Sequence, residues 1–151
     1  MIKVMFVCHG NICRSPMAEM ILKKIVRENN DDNNFIINSS ATSREEIGNG
    51  LYPPAIRTLN NHNVEIDPHR ARQITKDDYD NYDYIICMDN NNIRNLNRII
   101  YNDDEGKIYK LLEFCNSNED IEDPWYTDNF EKVYEQINEG CMAFYKSLSK
   151  D

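Results

Sequence analysis

Ile2-Lys3-Val4-Met5-Phe6-Val7-Cys8-His9-Gly10-Asn11-Ile12-Cys13-Arg14-Ser15-Pro16 is the stretch on which the reading of this chain turns. Ile2 to Val7 is a short, apolar, β-branched run and reads as a buried strand. Ser15-Pro16 reads as an N-cap and a first helical residue. Proline disfavours α geometry in the residue before it and suits the first turn itself. Glu19 lies one residue too far on to complete a capping box with Ser15. Ala18, Ile21, Leu22 and Ile25 then recur at the spacing of one helical face. A strand therefore feeds a helix through a loop, Cys8 to Ser15, that holds two cysteines, a glycine and an arginine.

Working outward, Glu28 to Asn34 reads as a polar turn and Phe35 to Asn38 as a second strand. Ser39 to Tyr52 is expected to be a loop containing Gly48 and Gly50. Pro53-Pro54 opens a helix carrying Ala55, Ile56 and Leu59. Thr75 to Asp78 reads as a capped helical turn. Tyr84 to Met88 is a further strand, followed by Asp89 and a helix with Ile93, Leu96 and Ile99 or Ile100. Ile108 to Leu112 reads as a last strand. Asn129 to Leu148 reads as a final helix with Phe130, Val133, Tyr134, Ile137, Cys141 and Phe144 on one side. Strands alternating with helices imply βαβ units, a parallel sheet and an α/β fold. Ligands of such sheets bind beyond the carboxyl ends of strands, which is where the Cys8 loop lies.

The 151 residues suit one domain spanning 1–151, with 40% hydrophobic residues for its core. No internal repeat is evident, and the asparagine tracts read as loops and helix edges. The apolar N-terminal run is too short for a signal peptide, and no run could span a bilayer. The chain is thus expected to be cytoplasmic. A formal net charge of −9 argues against nucleic acid and against an anionic membrane surface as partners. Five cysteines, an odd and widely spaced set, do not form a disulfide framework. The three histidines are isolated and no CxxC pair occurs, so no metal and no cofactor is expected.

The loop suggests its own chemistry. A thiolate is the nucleophilic form of cysteine, and a helix N-terminus beside a guanidinium favours it. Cys8 is placed to have both. The free N–H groups of the helix start and of a curled loop would face an oxyanion. Arg14 can hold two phosphate oxygens through its planar fork. Gly10 is expected to supply a positive φ for the curl. Ser15 can donate its hydroxyl to Cys8. The spacing excludes a Walker A loop, since no Gly-Lys-Ser/Thr follows. Cys13 has two readings, packing beneath the loop or capture of oxidised Cys8 as a disulfide.

The loop and its context resemble the low-molecular-weight protein tyrosine phosphatase family. Cys8 to Pro16, Thr42-Ser43, Glu46-Ile47-Gly48, Arg70 to Gln73, Asp83 to Ile86, Met88-Asp89, Asn95-Leu96 and Glu122-Asp123-Pro124-Trp125-Tyr126 look like family segments in family order. The resemblance covers essentially the whole chain. It implies a single three-layer α/β domain, Rossmann-like, with a four-stranded parallel sheet and helices on both faces. It implies Cys8 as nucleophile, Arg14 as phosphate clamp and Asp123 as general acid, with His9 to Ser15 binding phosphate. Asn11, Ser15, Ser39, His69 and Asp89 would form a supporting network, and His9, Ile12, Trp125 and Tyr126 the substrate pocket. From the residues alone Asp123 is one acid among many.

The expected partners are phosphotyrosine proteins or peptides, together with phosphate and other oxyanions. The chain would be a monomer or a weak homodimer. Ser40 stands where the family usually has glycine, and Arg44-Glu45-Glu46 lacks an aromatic that some relatives carry. Two activities on the same fold compete. Arsenate reduction needs two further relay cysteines, and only Cys87 lies near the expected region. Protein-arginine phosphatases resemble this chain but carry threonine at the position of Ile12. A non-catalytic phosphate-binding module is a third reading, disfavoured by the joint presence of Cys8, Arg14 and Asp123.

Overall fold

The computed structural model describes residues 1–148. The last three residues of the 1–151 span lie outside the described part. In chain order the elements are β1 (Ile2–Cys8), α1 (Arg14–Glu28), β2 (Phe35–Ala41), α2 (Pro53–Asn61), α3 (Lys76–Asn81), β3 (Tyr84–Cys87), α4 (Asn90–Ile100), β4 (Ile108–Lys110), α5 (Pro124–Thr127) and α6 (Phe130–Leu148). Short 3-10 turns occupy Asp32–Asn34 and Leu111–Cys115. The four strands form one sheet in the order β2-β1-β3-β4, and every pairing is parallel.

Alternation along the strands divides the core between two faces. Val4, Phe6 and Cys8 of β1 and Ile86 of β3 pack with α1 and α6, among them Met17, Ile21, Ile137 and Phe144. Met5, Val7, Ile85 and Cys87 face the other way, onto Tyr79 of α3 and Leu96 and Ile100 of α4. Helices therefore cover both faces, and β1 is buried without interruption from Val4 to Cys8. No helix among the described residues is long and apolar enough to cross a membrane.

Some boundaries differ from expectation. The second strand runs on through Ser39, Ser40 and Ala41, which pair with Phe6, Val7 and Cys8. Those small residues carry no apolar pattern, yet they are buried beside the central strand. The last strand stops at Lys110, and Leu111–Cys115 turns as a 3-10 helix instead. α1 begins at Arg14, with Cys13 at the N-cap position and no side-chain cap. Ser15 is thus inside the first turn and is not the cap. The sheet reverses its winding between β1 and β3, and their carboxyl ends, Cys8 and Cys87, lie side by side at that point.

Candidate active site

Cys8 ends β1 and opens the loop, so its thiol sits at the carboxyl edge of the central strand. Two backbone N–H donors and the Ser15 hydroxyl converge on Cys8 Sγ. The Ser15 hydroxyl is 3.0 Å away, the Asn11 N–H 3.3 Å and the Ser15 N–H 3.4 Å. The loop carbonyls are held from outside. Thr42 N–H bonds Cys8 O at 2.9 Å, Ser43 N–H bonds His9 O at 3.1 Å and Tyr52 N–H bonds Ile12 O at 2.9 Å. His69 Nε2 bonds Asn11 O at 2.7 Å. A trans peptide keeps its C=O and N–H on opposite sides. These outward carbonyls therefore turn the N–H groups of His9, Gly10, Ile12 and Cys13 towards the cavity.

The turn itself departs from expectation. Gly10 does not have a positive φ; Asn11 does, at 62°. Asparagine tolerates this region when its side chain bonds locally. Here Asn11 Nδ2 donates to Ser15 Oγ at 2.8 Å and Ser39 Oγ at 3.0 Å, and Oδ1 accepts Arg72 N–H at 3.2 Å. The Ser15 hydroxyl caps no helix end; it is engaged with Cys8, Asn11 and the Ser40 carbonyl.

Glu19 joins the site although its place in the sequence gives no sign of it. It is buried on α1 and accepts the Ser39 hydroxyl at 2.6 Å. Its other oxygen pairs with Lys23 at 2.6 Å, and Lys23 reaches Asp67 at 3.1 Å. Asn11, Ser15, Ser39 and His69 are thus brought together, and Glu19 continues their network to the surface. Asp89 joins the site by another route, through Arg14.

Arg14 is 2% exposed. Its Nη1 donates to Asp89 Oδ2 and to the Ile121 carbonyl, both at 2.7 Å, while Nη2 lies 3.6 Å from Asp123 Oδ2. Burial opposes its charge, but Cys8, Asp89 and Asp123 outweigh this and hold its pKa above the ordinary arginine value. Asp89 also caps α4, with a reciprocal Asn92 capping box. Asp123 caps α5: its Oδ1 accepts Trp125 N–H at 3.0 Å. Of its acidic neighbours, Glu122 is held down to about 2 by Thr127, Lys132 and Asn129, and Asp120 pairs with Lys110 at 2.9 Å. Burial, then the Cys8 charge, push the Cys13 thiol up.

A cavity of about 90 Å³ stands over the thiol. Cys8, His9, Gly10, Asn11, Ile12, Cys13 and Arg14 line it from the loop, and Asp123, Trp125 and Tyr126 from the far segment. Glu45 and Glu46, for which no role was foreseen, complete it. His9 Nε2 meets Glu45 Oε2 at 3.0 Å across the mouth. Trp125 packs on Tyr52, with ring centroids 4.7 Å apart, whereas Tyr126 is 80% exposed. Cys87 is fully buried under the sheet's other face and has no opening to the cavity lining. Among the described residues no group of three His, Cys, Asp or Glu side chains is placed to hold a metal ion. A thiol, a buried cation and a carboxyl group thus surround one small cavity lined with N–H donors. That arrangement suits attack on a tetrahedral oxyanion.

The sequence model described as "Low molecular weight phosphotyrosine protein phosphatase" matches residues 3–151. A relative from Sus scrofa with that same description is 40% identical, over 96% of this chain and 94% of its own length. The crystal structure of YfkJ from Bacillus subtilis superposes with a TM-score of 0.95 at 36% identity, covering 99% of this chain and 96% of its own. That of a Drosophila arginine phosphatase superposes with a TM-score of 0.90 at 32% identity, covering 99% of each chain.

Proposed function

The chain belongs to the low molecular weight phosphotyrosine protein phosphatase family, and we propose that it hydrolyses phosphotyrosine through a phosphocysteine on Cys8. One observation carries this reading. Cys8 Sγ, met by two N–H donors and the Ser15 hydroxyl, shares a cavity with Arg14 and with Asp123, a carboxyl group brought from more than a hundred residues away.

In the first step Cys8 Sγ attacks phosphorus and the bond to the phenolic oxygen breaks. Asp123 gives its proton to that oxygen as it leaves. In the second step water attacks the phosphocysteine, Asp123 takes a proton from it, and the S–P bond breaks to release phosphate and the thiolate. Nη1 of Arg14 is fixed by Asp89 and Ile121, which pre-sets the rest of the guanidinium to bind equatorial oxygens together with the loop N–H groups. Ile12 and Trp125 line the cavity and suit the flat faces of a phenyl ring.

The similarity to an arginine phosphatase supports a second reading, dephosphorylation of phosphoarginine. Ile12, apolar and at the cavity wall, favours the aryl substrate over a guanidinium. The test is hydrolysis of p-nitrophenyl phosphate, phosphotyrosine peptide and phosphoarginine in buffer containing a chelator, with Cys8→Ser as control. Wild type is expected to turn over both aryl phosphates and Cys8→Ser neither. Phosphate binding without turnover by the wild type rejects the enzyme reading. A higher kcat/KM on phosphoarginine replaces it with the second.

A further inference from the structure

Tyr52 lies outside the cavity, between the two segments that have to cooperate across it. Its backbone belongs to the phosphate loop's support: the Tyr52 N–H donates to Ile12 O at 2.9 Å. The direction of that N–H is set locally. Tyr52 precedes Pro53, so it is held extended, at φ −64° and ψ 134°, as the N-cap of α2. Its ring belongs to the other segment. It lies 4.7 Å from the Trp125 ring, tilted by 48°, and 6.0 Å from the Phe130 ring at the start of α6.

Trp125 is in turn the residue whose N–H bonds Asp123 Oδ1. α5 is a single turn, so little within it fixes the carboxyl group once that N–H moves. Trp125 is itself half exposed, and its tertiary ring contact is with Tyr52.

We propose that Tyr52 is a positioning residue that registers the acid segment against the phosphate loop, one end of the residue on each. It touches neither substrate nor the reacting atoms. It acts through Trp125 on where Asp123 presents its proton. The inference rests on the proposed role of Asp123 and deepens it.

Two measurements test it. The chain has one tryptophan, so fluorescence excited at the red edge, where its nine tyrosines do not absorb, comes from Trp125 alone. Tyr52→Ala is expected to shift Trp125 emission to the red and raise its quenching by acrylamide, while Tyr52→Phe keeps the wild-type spectrum. The second is kcat/KM across aryl phosphates whose phenols are progressively poorer leaving groups. General acid catalysis supplies roughly 10²- to 10⁴-fold where the leaving group needs a proton. Asp123→Asn is expected to lose that factor on the poorest phenol and little on p-nitrophenyl phosphate. Tyr52→Ala is expected to steepen the dependence in the same direction, by on the order of tenfold across the series, and Tyr52→Phe to restore it.

Unchanged Trp125 emission in Tyr52→Ala overturns the contact. An equal loss on every phenol overturns the positioning role and leaves Tyr52 structural. If Asp123→Asn itself keeps the wild-type dependence, the role of Asp123 fails first and the inference falls with it. These three outcomes have different signatures.

Discussion

Glu19 sets the polarity of the hydrogen bonds that end on Cys8. An ionised carboxylate only accepts, so the Ser39 hydrogen points to Glu19 and a Ser39 lone pair is left for Asn11 Nδ2. Asn11 is then oriented with its amide nitrogen towards Ser15 and its oxygen towards Arg72 N–H. Ser15 Oγ accepts from Asn11, and its own hydrogen is free for Cys8 Sγ at 3.0 Å, a shorter distance than the 3.3 Å to Ser40 O. Glu19→Ala is therefore expected to do two things. It removes a charge-assisted hydrogen bond and costs about 2 kcal/mol in a urea titration. It also lowers kcat by roughly ten- to a hundredfold by loosening the loop geometry, with KM changed less. Wild-type kcat in a folded Glu19→Ala protein would show that the relay is only structural.

What was legible at this scale was local. Cys8, Arg14 and Ser15 could be read because their spacing lies within one loop. Glu19 could not, because its partner Ser39 is a strand residue twenty positions away and the helix spacing alone reads Glu19 as an exposed acid. At Gly10 the expectation fails: the left-handed residue is Asn11, held there by five hydrogen bonds, three of which, to Ser39, His69 and Arg72, only the fold supplies. Asp123 came from resemblance, since nothing in Glu119 to Asp123 distinguishes one acid from the next until Arg14 is beside it.

At the scale of elements, periodicity located the strands and helices well wherever one face was apolar, and missed where it was not. β2 continues through Ser39-Ser40-Ala41 because β1 offers it a ladder, not because those residues favour strands. α5 is one turn and has no periodicity to read. The packing of α6 was also hidden. Gly140 sits on its buried side, and a Cβ there would come within 2.4 Å of the Leu111 side chain in the Leu111–Cys115 turn. In an exposed helix Gly→Ala gains about 1 kcal/mol. Here overpacking, typically about 1–3 kcal/mol, opposes that gain. Gly140→Ala is expected to be destabilising by up to about 2 kcal/mol net. The clash is with one side chain, so Leu111→Ala and Gly140→Ala should be strongly coupled. In urea titrations the double variant is expected to lose less than the sum of the two single losses. Additive losses would place the strain elsewhere.

For the whole molecule the net charge of −9 says that acids predominate, but stability depends on which groups the fold perturbs. Asp78 is partly buried, which works against its charge, but Arg72 and Thr75 outweigh this and hold its pKa below the carboxylate range. Asp103 is held down in the same way, by Tyr79 and the N–H groups of Lys107 and Ile108 against its own burial. For a group lowered on folding, the unfolded chain binds more protons between the two pKa values. Its stabilisation is therefore present above the ordinary carboxylate value of about 4 and is lost as pH falls below it. Cys87 and Cys141 are perturbed in the other direction: burial pushes both thiols up. Between the ordinary thiol value of about 8.5 and their folded values the native state holds the extra proton, so stability falls as pH rises. Each such thiol contributes a slope of about 1.4 kcal/mol per pH unit once the unfolded thiol is ionised. Urea midpoints are expected to be flat from about pH 5 to 8 and to fall on both sides. Cys141→Ala separates packing from ionisation. It should lower stability near neutrality through the small cavity it leaves, yet show a shallower alkaline limb by one proton. An alkaline limb parallel to that of the wild type would assign the loss to other groups, the buried Tyr79 first among them.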